Sequence, residues 1–224
     1  NKCESLNLCP DDFTSEEFDI LLGSLLGDGA ISRQKGPQSE CCFYEGHSIK
    51  QTEYIEYKYN KLKRWIGCNI YPLKHNLDGK IHTTLNFVTR RNKKFTDLRT
   101  LFYMNNKKKS SKILPFDLIS TKLNSLSLAI WVMDDGYNRY DRGFEFCSES
   151  FCEKDQKYLI DILSQKFGIQ SHIGRIRKSE YRIKIKNRCH AKAMHTLLQK
   201  HMQTEKSSSW HSYRKRQCSI TLFN

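Results

Sequence analysis

Two segments of this chain are apolar almost without interruption, and each ends in Asp-Gly. The first is Phe18-Asp19-Ile20-Leu21-Leu22-Gly23-Ser24-Leu25-Leu26-Gly27-Asp28-Gly29, and the second is Leu126-Ser127-Leu128-Ala129-Ile130-Trp131-Val132-Met133-Asp134-Asp135-Gly136. A helix that is apolar all round has to be buried, so two of them predict a helix pair packed against each other at the core. Thr14 with Glu17 makes a capping box ahead of the first, and Asn124 or Ser125 can cap the second. The glycine after each helix is expected to stop it in the left-handed conformation.

The segments beyond the two helices repeat as well. After Gly29, Ala30–Gln34 and Cys41–Ser48 flank a Gly36-Pro37 turn and read as a hairpin. Gln51–Ile66 has helical periodicity, with Tyr54, Ile55, Tyr59, Leu62 and Ile66 near one face. Strands at Ile70–His75 and Ile81–Thr89 flank Asn76-Leu77-Asp78-Gly79, and Asn92–Met104 is helical again. After Gly136 the order recurs: strands near Tyr137–Tyr140 and Phe144–Ser148, helix Glu153–Phe167, strands Ile169–Arg177 and Tyr181–Lys186, helix His190–Met202. The expected fold is α+β, two pseudo-symmetric α-β-β-α-β-β-α repeats, each with a curved antiparallel sheet. Residues 1–104 form the N-terminal repeat, 105–123 a basic linker, and 124–224 the C-terminal repeat with a basic tail. Lys109-Ser110-Ser111-Lys112 and Lys206-Ser207-Ser208-Ser209 close the two copies in matching fashion.

Charge says what the sheets meet. The chain of 224 residues carries a formal charge of +14, which suits a phosphate backbone better than a small acidic substrate. Its 12 Phe, 11 Tyr and 3 Trp argue against disorder. No apolar stretch approaches the roughly 20 residues needed to span a bilayer as a helix, so no membrane partner is expected. Tyr181, Ile183 and Ile185 share one face of a strand, with Arg182, Lys184 and Lys186 on the other. Ile81, Thr83, Leu85 and Phe87 likewise oppose Lys80, His82, Thr84 and Asn86. A solvated face explains such alternation in any one strand; repeated in a chain this basic, it points to nucleic acid. A curved ribbon carrying such side chains can lie in a DNA major groove and read base edges. Arg33, Lys35, Lys74, Arg90, Arg139, Arg175 and Arg177, in or beside the strands, complete the candidate DNA contacts.

Asp28 and Asp135 hold the same place at the foot of the twin helices. If the helices pack side by side, both carboxylates emerge together and repel unless a cation sits between them. Hard oxygen ligands suit Mg²⁺, and two-metal sites clamp the attacking and leaving oxygens of a displacement at phosphorus. Nine cysteines are an odd count, with no Cys-x-x-Cys pair and no zinc-finger spacing, so free thiols in a reducing compartment are expected. The chain begins at Asn1 rather than Met, which leaves room for a segment ahead of it, a targeting segment included.

The nonamers Leu21-Leu22-Gly23-Ser24-Leu25-Leu26-Gly27-Asp28-Gly29 and Leu128-Ala129-Ile130-Trp131-Val132-Met133-Asp134-Asp135-Gly136 resemble the paired motifs of the LAGLIDADG homing endonucleases, in particular the single-chain, two-repeat, intron-encoded type. The resemblance covers nearly the whole chain, because the order of elements after each motif also fits. It implies a monomer that cuts both strands of a long, nearly asymmetric DNA site and leaves short 3′ overhangs. Asp28 and Asp135 would bind divalent metal, two or more Mg²⁺ with Mn²⁺ as a substitute, next to the backbone carbonyls of Gly29 and Gly136. A basic residue beside each metal is implied, and Lys112 in Lys112-Ile113-Leu114-Pro115 is the first choice. The second half departs from the pattern: Ser209 falls opposite Lys112, with Trp210-His211 after it, so either Lys206 takes the role there or that half relies on water alone. The polar residue that orders hydrolytic water falls near His47 in one copy and Glu149 in the other. Ile130 stands where the first helix has Gly23, so close packing of the helices is expected to be asymmetric. Asp134 is expected to point away from Asp135. An organelle, mitochondrion or chloroplast, is the implied setting, with a prokaryotic cytoplasm as the alternative. Two other functions use the same scaffold: an intron RNA-binding maturase and a non-catalytic DNA-binding regulator.

Overall fold

The computed structural model describes residues 13–34, 36, 38–104, 111–138, 143–177 and 180–202. Helix α1 (Ser15–Leu26) begins where the Thr14 hydroxyl accepts the Glu17 amide and the Glu17 carboxylate accepts the Thr14 amide. Strands β1 (Ala30–Ile31) and β2 (Phe43–Ser48), helix α2 (Thr52–Lys61), strands β3 (Tyr71–Leu77) and β4 (Lys80–Val88), and helix α3 (Lys93–Phe102) come next along the chain. A short pair, β5 (Tyr103–Met104) with β6 (Ser111–Lys112), leads into α4 (Phe116–Lys122). Helix α5 (Ser125–Asp135) opens on the same reciprocal cap as α1, now between Asn124 and Ser127. Such caps contribute about 1 kcal/mol each. The chain then continues through β7 (Gly136–Asn138), β8 (Phe144–Phe146), α6 (Glu153–Phe167), β9 (His172–Arg177), β10 (Glu180–Ile185) and α7 (Arg188–Met202).

The two halves have one topology. The sheets run β1-β2-β4-β3 and β7-β8-β10-β9, all neighbours antiparallel. The expected α+β repeat is therefore present in both. The β3–β4 hairpin turns through Asp78 and Gly79, both at positive φ, as the two-residue turn of a twisted ribbon requires. The exposed edge of β1 is closed by β5 and α3: the Tyr103 hydroxyl accepts the Ile31 amide, and Arg99 donates to the Ile31 carbonyl. Those side chains satisfy the backbone groups an edge strand leaves open.

Helices α1 and α5 pack face to face at the centre, with Ile20, Leu21, Leu22, Leu25, Leu26, Leu128, Val132 and Met133 all buried. Burying each such side chain contributes about 1.5–3 kcal/mol. Gly23 within α1 and Gly27 at its C-cap set how closely the two helices approach. A Cβ on Gly23 would lie 2.6 Å from Ile130 Cβ and against the Ser127 carbonyl, and one on Gly27 would lie 2.8 Å from Asp134 Oδ2. The contact is asymmetric as expected, small residues on α1 receiving larger ones from α5.

Four details differ from expectation. Neither Gly29 nor Gly136 is left-handed: Gly136 has φ −80°, Gly29 is not at positive φ, and α1 already ends at Gly27, φ −107°. The need at Gly29 and Gly136 is space, because a Cβ there would strike Phe43 and Phe144, at 2.7 and 2.8 Å. Residues 92–104 stop being helical at Tyr103, which turns extended to pair with Lys112. Helix α4 is an addition to the expected elements, too short to show a period in the sequence. Among the described residues, no helix is long and apolar enough to cross a membrane.

Candidate functional site

The helix ends bring three ligand-bearing side chains together. One ligand atom each from Asp28, His47 and Asp134 lies within 4.8 Å of the others. Asp28 sits just past the end of α1 and is exposed. His47 comes from β2, whose alternation turns Phe43, Glu45 and His47 inward while Tyr44 and Ser48 face out. Its Nδ1 stands 3.6 Å from Asp28 Oδ2, and its Nε2 2.9 Å from Glu45 Oε1. Asp134 reaches the cluster from the other half. It reaches toward Asp28: its Oδ2 accepts the Asp28 amide at 3.4 Å.

Beneath this cluster lies an ion network for which the sequence pattern gives no direct signal. Lys58 of α2 is fully buried, 2.5 Å from Glu45 Oε1 and 2.8 Å from Asp134 Oδ1. The Tyr54 hydroxyl donates to Asp134 Oδ1 at 2.7 Å. Burial alone would raise Glu45, but the charge of Lys58 and the contact with His47 hold it well below the usual carboxylate range. Burial pushes Asp134 up, and the nearby Glu45 and Asp28 charges add to that against the pull of Lys58. One ammonium does not neutralise both acids.

Asp135 ends α5 on the second-half side. Burial first, then the charges of Asp28 and Asp134, push its carboxyl to about 8. Asp28 is raised too: although its side chain reaches the surface, the protein packed around it removes part of its water, and Glu45 adds to this against the pull of His47. Lys112 extends from β6 into this acidic region and donates to the Gly27 carbonyl at 2.8 Å. Burial lowers its ammonium below the ordinary range, while Asp135, Asp134, Glu45 and Asp28 all favour the charged form. Carboxylates forced together this way are what a divalent cation relieves, and an oxygen-rich set with one imidazole suits such an ion. The Asp134 oxygens already accept from Lys58, Tyr54 and the Asp28 amide.

The sheets sort the other candidates by face. Lys80, His82, Thr84 and Asn86 share a face with Tyr71, Leu73 and His75 by register. Lys74 pairs with Thr83, so it lies on the face opposite Lys80 and His82 and is exposed there. Arg175 likewise pairs with Tyr181, whereas Arg182 and Lys184 pair with Gly174 and His172, so it lies on the face opposite them. Arg90 bonds the Arg64 carbonyl beyond the end of β4 and anchors that loop. Arg33 and Lys186 are exposed just beyond β1 and β10. Lys35, Arg139, Lys206 and Ser209, and the side chain of Arg177, lie outside the described residues.

The second-half face is not simply basic. Arg182 is ion-paired with Glu149, at 2.5 Å from Nε, and Lys184 with Glu145 at 3.2 Å. Glu145 is a further acid on this face, and its alternation with Phe144 and Phe146 is the signal that could have found it. Glycines make room for the long polar side chains. A Cβ on Gly174 would strike the Lys184 stem, and one on Gly46 would strike Asn86.

Comparison with known proteins gives a consistent picture. Residues 18–192 match the model of the LAGLIDADG DNA endonuclease family. The cytochrome b mRNA maturase bI2 of Debaryomyces hansenii is 31% identical over 161 residues, covering 70% of this chain and 58% of that protein. The intron-encoded endonuclease ai4 of Dictyostelium discoideum is 33% identical over 107 residues, covering 48% of this chain and 64% of that one. The chain thus spans less than two thirds of these relatives. The homing endonuclease I-WcaI bound to its DNA recognition sequence superposes with a TM-score of 0.73 over 89% of this chain and 93% of that one. At 22% identity that likeness shows the fold.

Proposed function

Because the chain belongs to the LAGLIDADG DNA endonuclease family, we propose that it is a site-specific, metal-dependent endonuclease that cuts both strands of DNA and leaves short 3′ overhangs. The observation that supports this reading is the crowding of acids at the α1–α5 helix ends, where Asp28 lies with His47 and Asp134 and Lys112 donates to the Gly27 carbonyl; Asp28 and Asp135 are the acids we assign to metal. Divalent Mg²⁺ or Mn²⁺ held by these acids and the adjoining Gly29 and Gly136 carbonyls would supply Lewis-acid activation of water and of the phosphodiester. The protein does the rest. His47 holds a water or ligand position beside Asp28, and Lys112 offsets negative charge developing on the phosphate. The outward faces of β2–β4 and β8–β10 bind and orient a long, nearly asymmetric duplex. We place the activity in a single chain working in an organelle or another reducing compartment. Cys41, Cys42, Cys68, Cys147, Cys152 and Cys189 are free thiols, in keeping with that setting.

The direct test is incubation with a randomised DNA-target library and Mg²⁺, then sequencing of the ends. A discrete target with paired 3′ overhangs is the expected outcome; ends matching a chelator control would remove the nuclease reading. Lys112→Ala should slow cutting of the recovered target by about 10²–10³, the scale of one lost charge contact in the transition state. A rate within about threefold of the parent, measured in single turnover, would place Lys112 outside the chemistry. Binding should weaken steeply with salt, since cations on the strands displace counterions from phosphates. A Kd unchanged between about 50 and 200 mM salt would contradict a backbone-dominated interface.

A second reading has an observation of its own: the similarity to an mRNA maturase extends over 70% of this chain. On that reading the basic sheets also serve intron RNA, although the narrow major groove of A-form helices resists strand insertion. Saturable binding of an intron transcript, unaffected by Asp28→Asn, would support it.

A further inference from the structure

A fully buried lysine needs a reason, because the cost of removing its charge from water must be met by partners. Lys58 has two. Its Nζ lies 2.5 Å from Glu45 Oε1, and 2.8 and 3.1 Å from the two oxygens of Asp134. Each acid passes a second contact onward. Asp134 Oδ2 accepts the Asp28 amide, and Glu45 Oε1 meets His47 Nε2 at 2.9 Å. A carboxylate paired with an ammonium is an acceptor only, so His47 must donate from Nε2. In the neutral ring Nδ1 then keeps a lone pair, and that atom is the one 3.6 Å from Asp28 Oδ2. One ammonium therefore holds two carboxylates, of which one aims the backbone of Asp28 and the other the ring of His47.

The second half has no such device among the described residues. Gly27 occupies on α1 the position that Asp134 holds on α5. Where Glu45 pairs with Phe87 on β4, the corresponding pair on β8 and β10 is Phe146 with Ile183. The residue matching His47 is Ser148, whose hydroxyl accepts the Ile183 amide and is buried.

We propose that Lys58 and Glu45 are positioning residues for the first-half centre alone, and that Asp134, though carried by the second-half helix, serves the first half with them. The arrangement fixes His47 as the Nε2–H tautomer and turns Nδ1 toward the metal-binding side of Asp28, as carboxylate partners do for ligating histidines. The proposal rests on the nuclease reading for its consequence, but its geometry can be read without cleavage.

Removing Lys58 alone leaves two buried acids unpaired, so the test uses E45Q/K58M/D134N, which removes all three charges together. The first measurement is the position of the His47 ring proton, from ¹⁵N shifts of the metal-free, DNA-free protein at about pH 8, above the ordinary histidine range. Wild type should carry the proton on Nε2 only, and the triple variant should show a mixture of tautomers. A proton on Nδ1 in wild type, or an unchanged tautomer in the variant, would overturn the proposal. The second measurement is strand-resolved cleavage of the target recovered from the library. The variant should bind that duplex normally and cut one strand about 10–100-fold more slowly, the scale of lost support behind a metal ligand. The other strand should be cut at the parent rate, so that nicked duplex accumulates. Equal slowing of both strands would mean a purely structural role, and unchanged rates would also overturn the proposal. If wild type cuts no target, the nuclease reading fails while the tautomer measurement still decides the positioning. Should the triple variant not melt cooperatively, Glu45→Gln carries the same two readouts.

Discussion

Asp28→Asn and Asp135→Asn should each abolish double-strand cleavage, with a fall of at least about 10²–10³ in rate, while DNA affinity stays within a few-fold of the parent. Either change removes a formal charge where a divalent ion has to be held, yet keeps the helix end, the adjoining glycine and both sheets. Gel-resolved cleavage with Mg²⁺, beside filter binding of the same duplex, separates the two effects. Near-normal cutting by either variant would sink the shared-metal mechanism. Stability should move the other way. In chelator, the Asp135 carboxyl is held at about 8, above its unfolded value. A raised acid contributes stability that is fully present below the unfolded carboxylate range, about pH 4, and is lost as pH rises through about 8. Asp135→Asn has no such proton to lose. Its melting temperature should therefore fall less than that of the parent between about pH 5 and 8 in chelator. A variant whose melting temperature tracks the parent across that range would show that the crowding of acids costs nothing.

Gly23→Val should destabilise the protein by about 3 kcal/mol, the upper part of the range for overpacking a close contact. In a chain of this size that lowers Tm by about 6–12 °C. The added Cβ meets the Ser127 carbonyl and Ile130 Cβ across the helix pair, and backbone cannot swing aside as a long side chain can. Gly36→Ala is the control, since a Cβ there meets nothing within 4 Å. Calorimetry of both variants checks the claim. A Gly23→Val melting temperature within about 2 °C of the parent would mean that the α1–α5 contact is looser than described.

The repeat, the helix caps and the burial of the two apolar helices were legible because each rests on a local or strongly periodic signal. Thr14 and Glu17 are three residues apart, and an apolar helix advertises its own burial. The network around Lys58 was not legible, because a lysine in an amphipathic helix normally lies at the surface. One clue was present. Lys58 sits on the helix face of Tyr54, Ile55 and Tyr59, and Glu45 and His47 alternate with Phe43 toward the same interior. The faces of Lys74 and Arg175 depend on which residue each one pairs with across the hairpin, and register is a non-local quantity. The glycines at the helix ends are necessary for a reason other than the one their position suggests. Tight packing against Phe43 and Phe144, rather than backbone handedness, excludes a side chain there.

The unequal contact between α1 and α5 also limits how the halves can be exchanged. A symmetric dimer built from two first halves would set Gly27 against Gly27 and deprive Lys58 of one of its two carboxylates. A dimer of two second halves would bring Ile130 against Ile130 and Asp134 against Asp134 at the crossing, with no Lys58 beneath. Each half is a lock cut for the other. Hybrids assembled from half-proteins to read new DNA sites would therefore have to carry Gly23 and Gly27 on one helix, Ile130 and Asp134 on its mate, and Glu45 and Lys58 as a transplanted set.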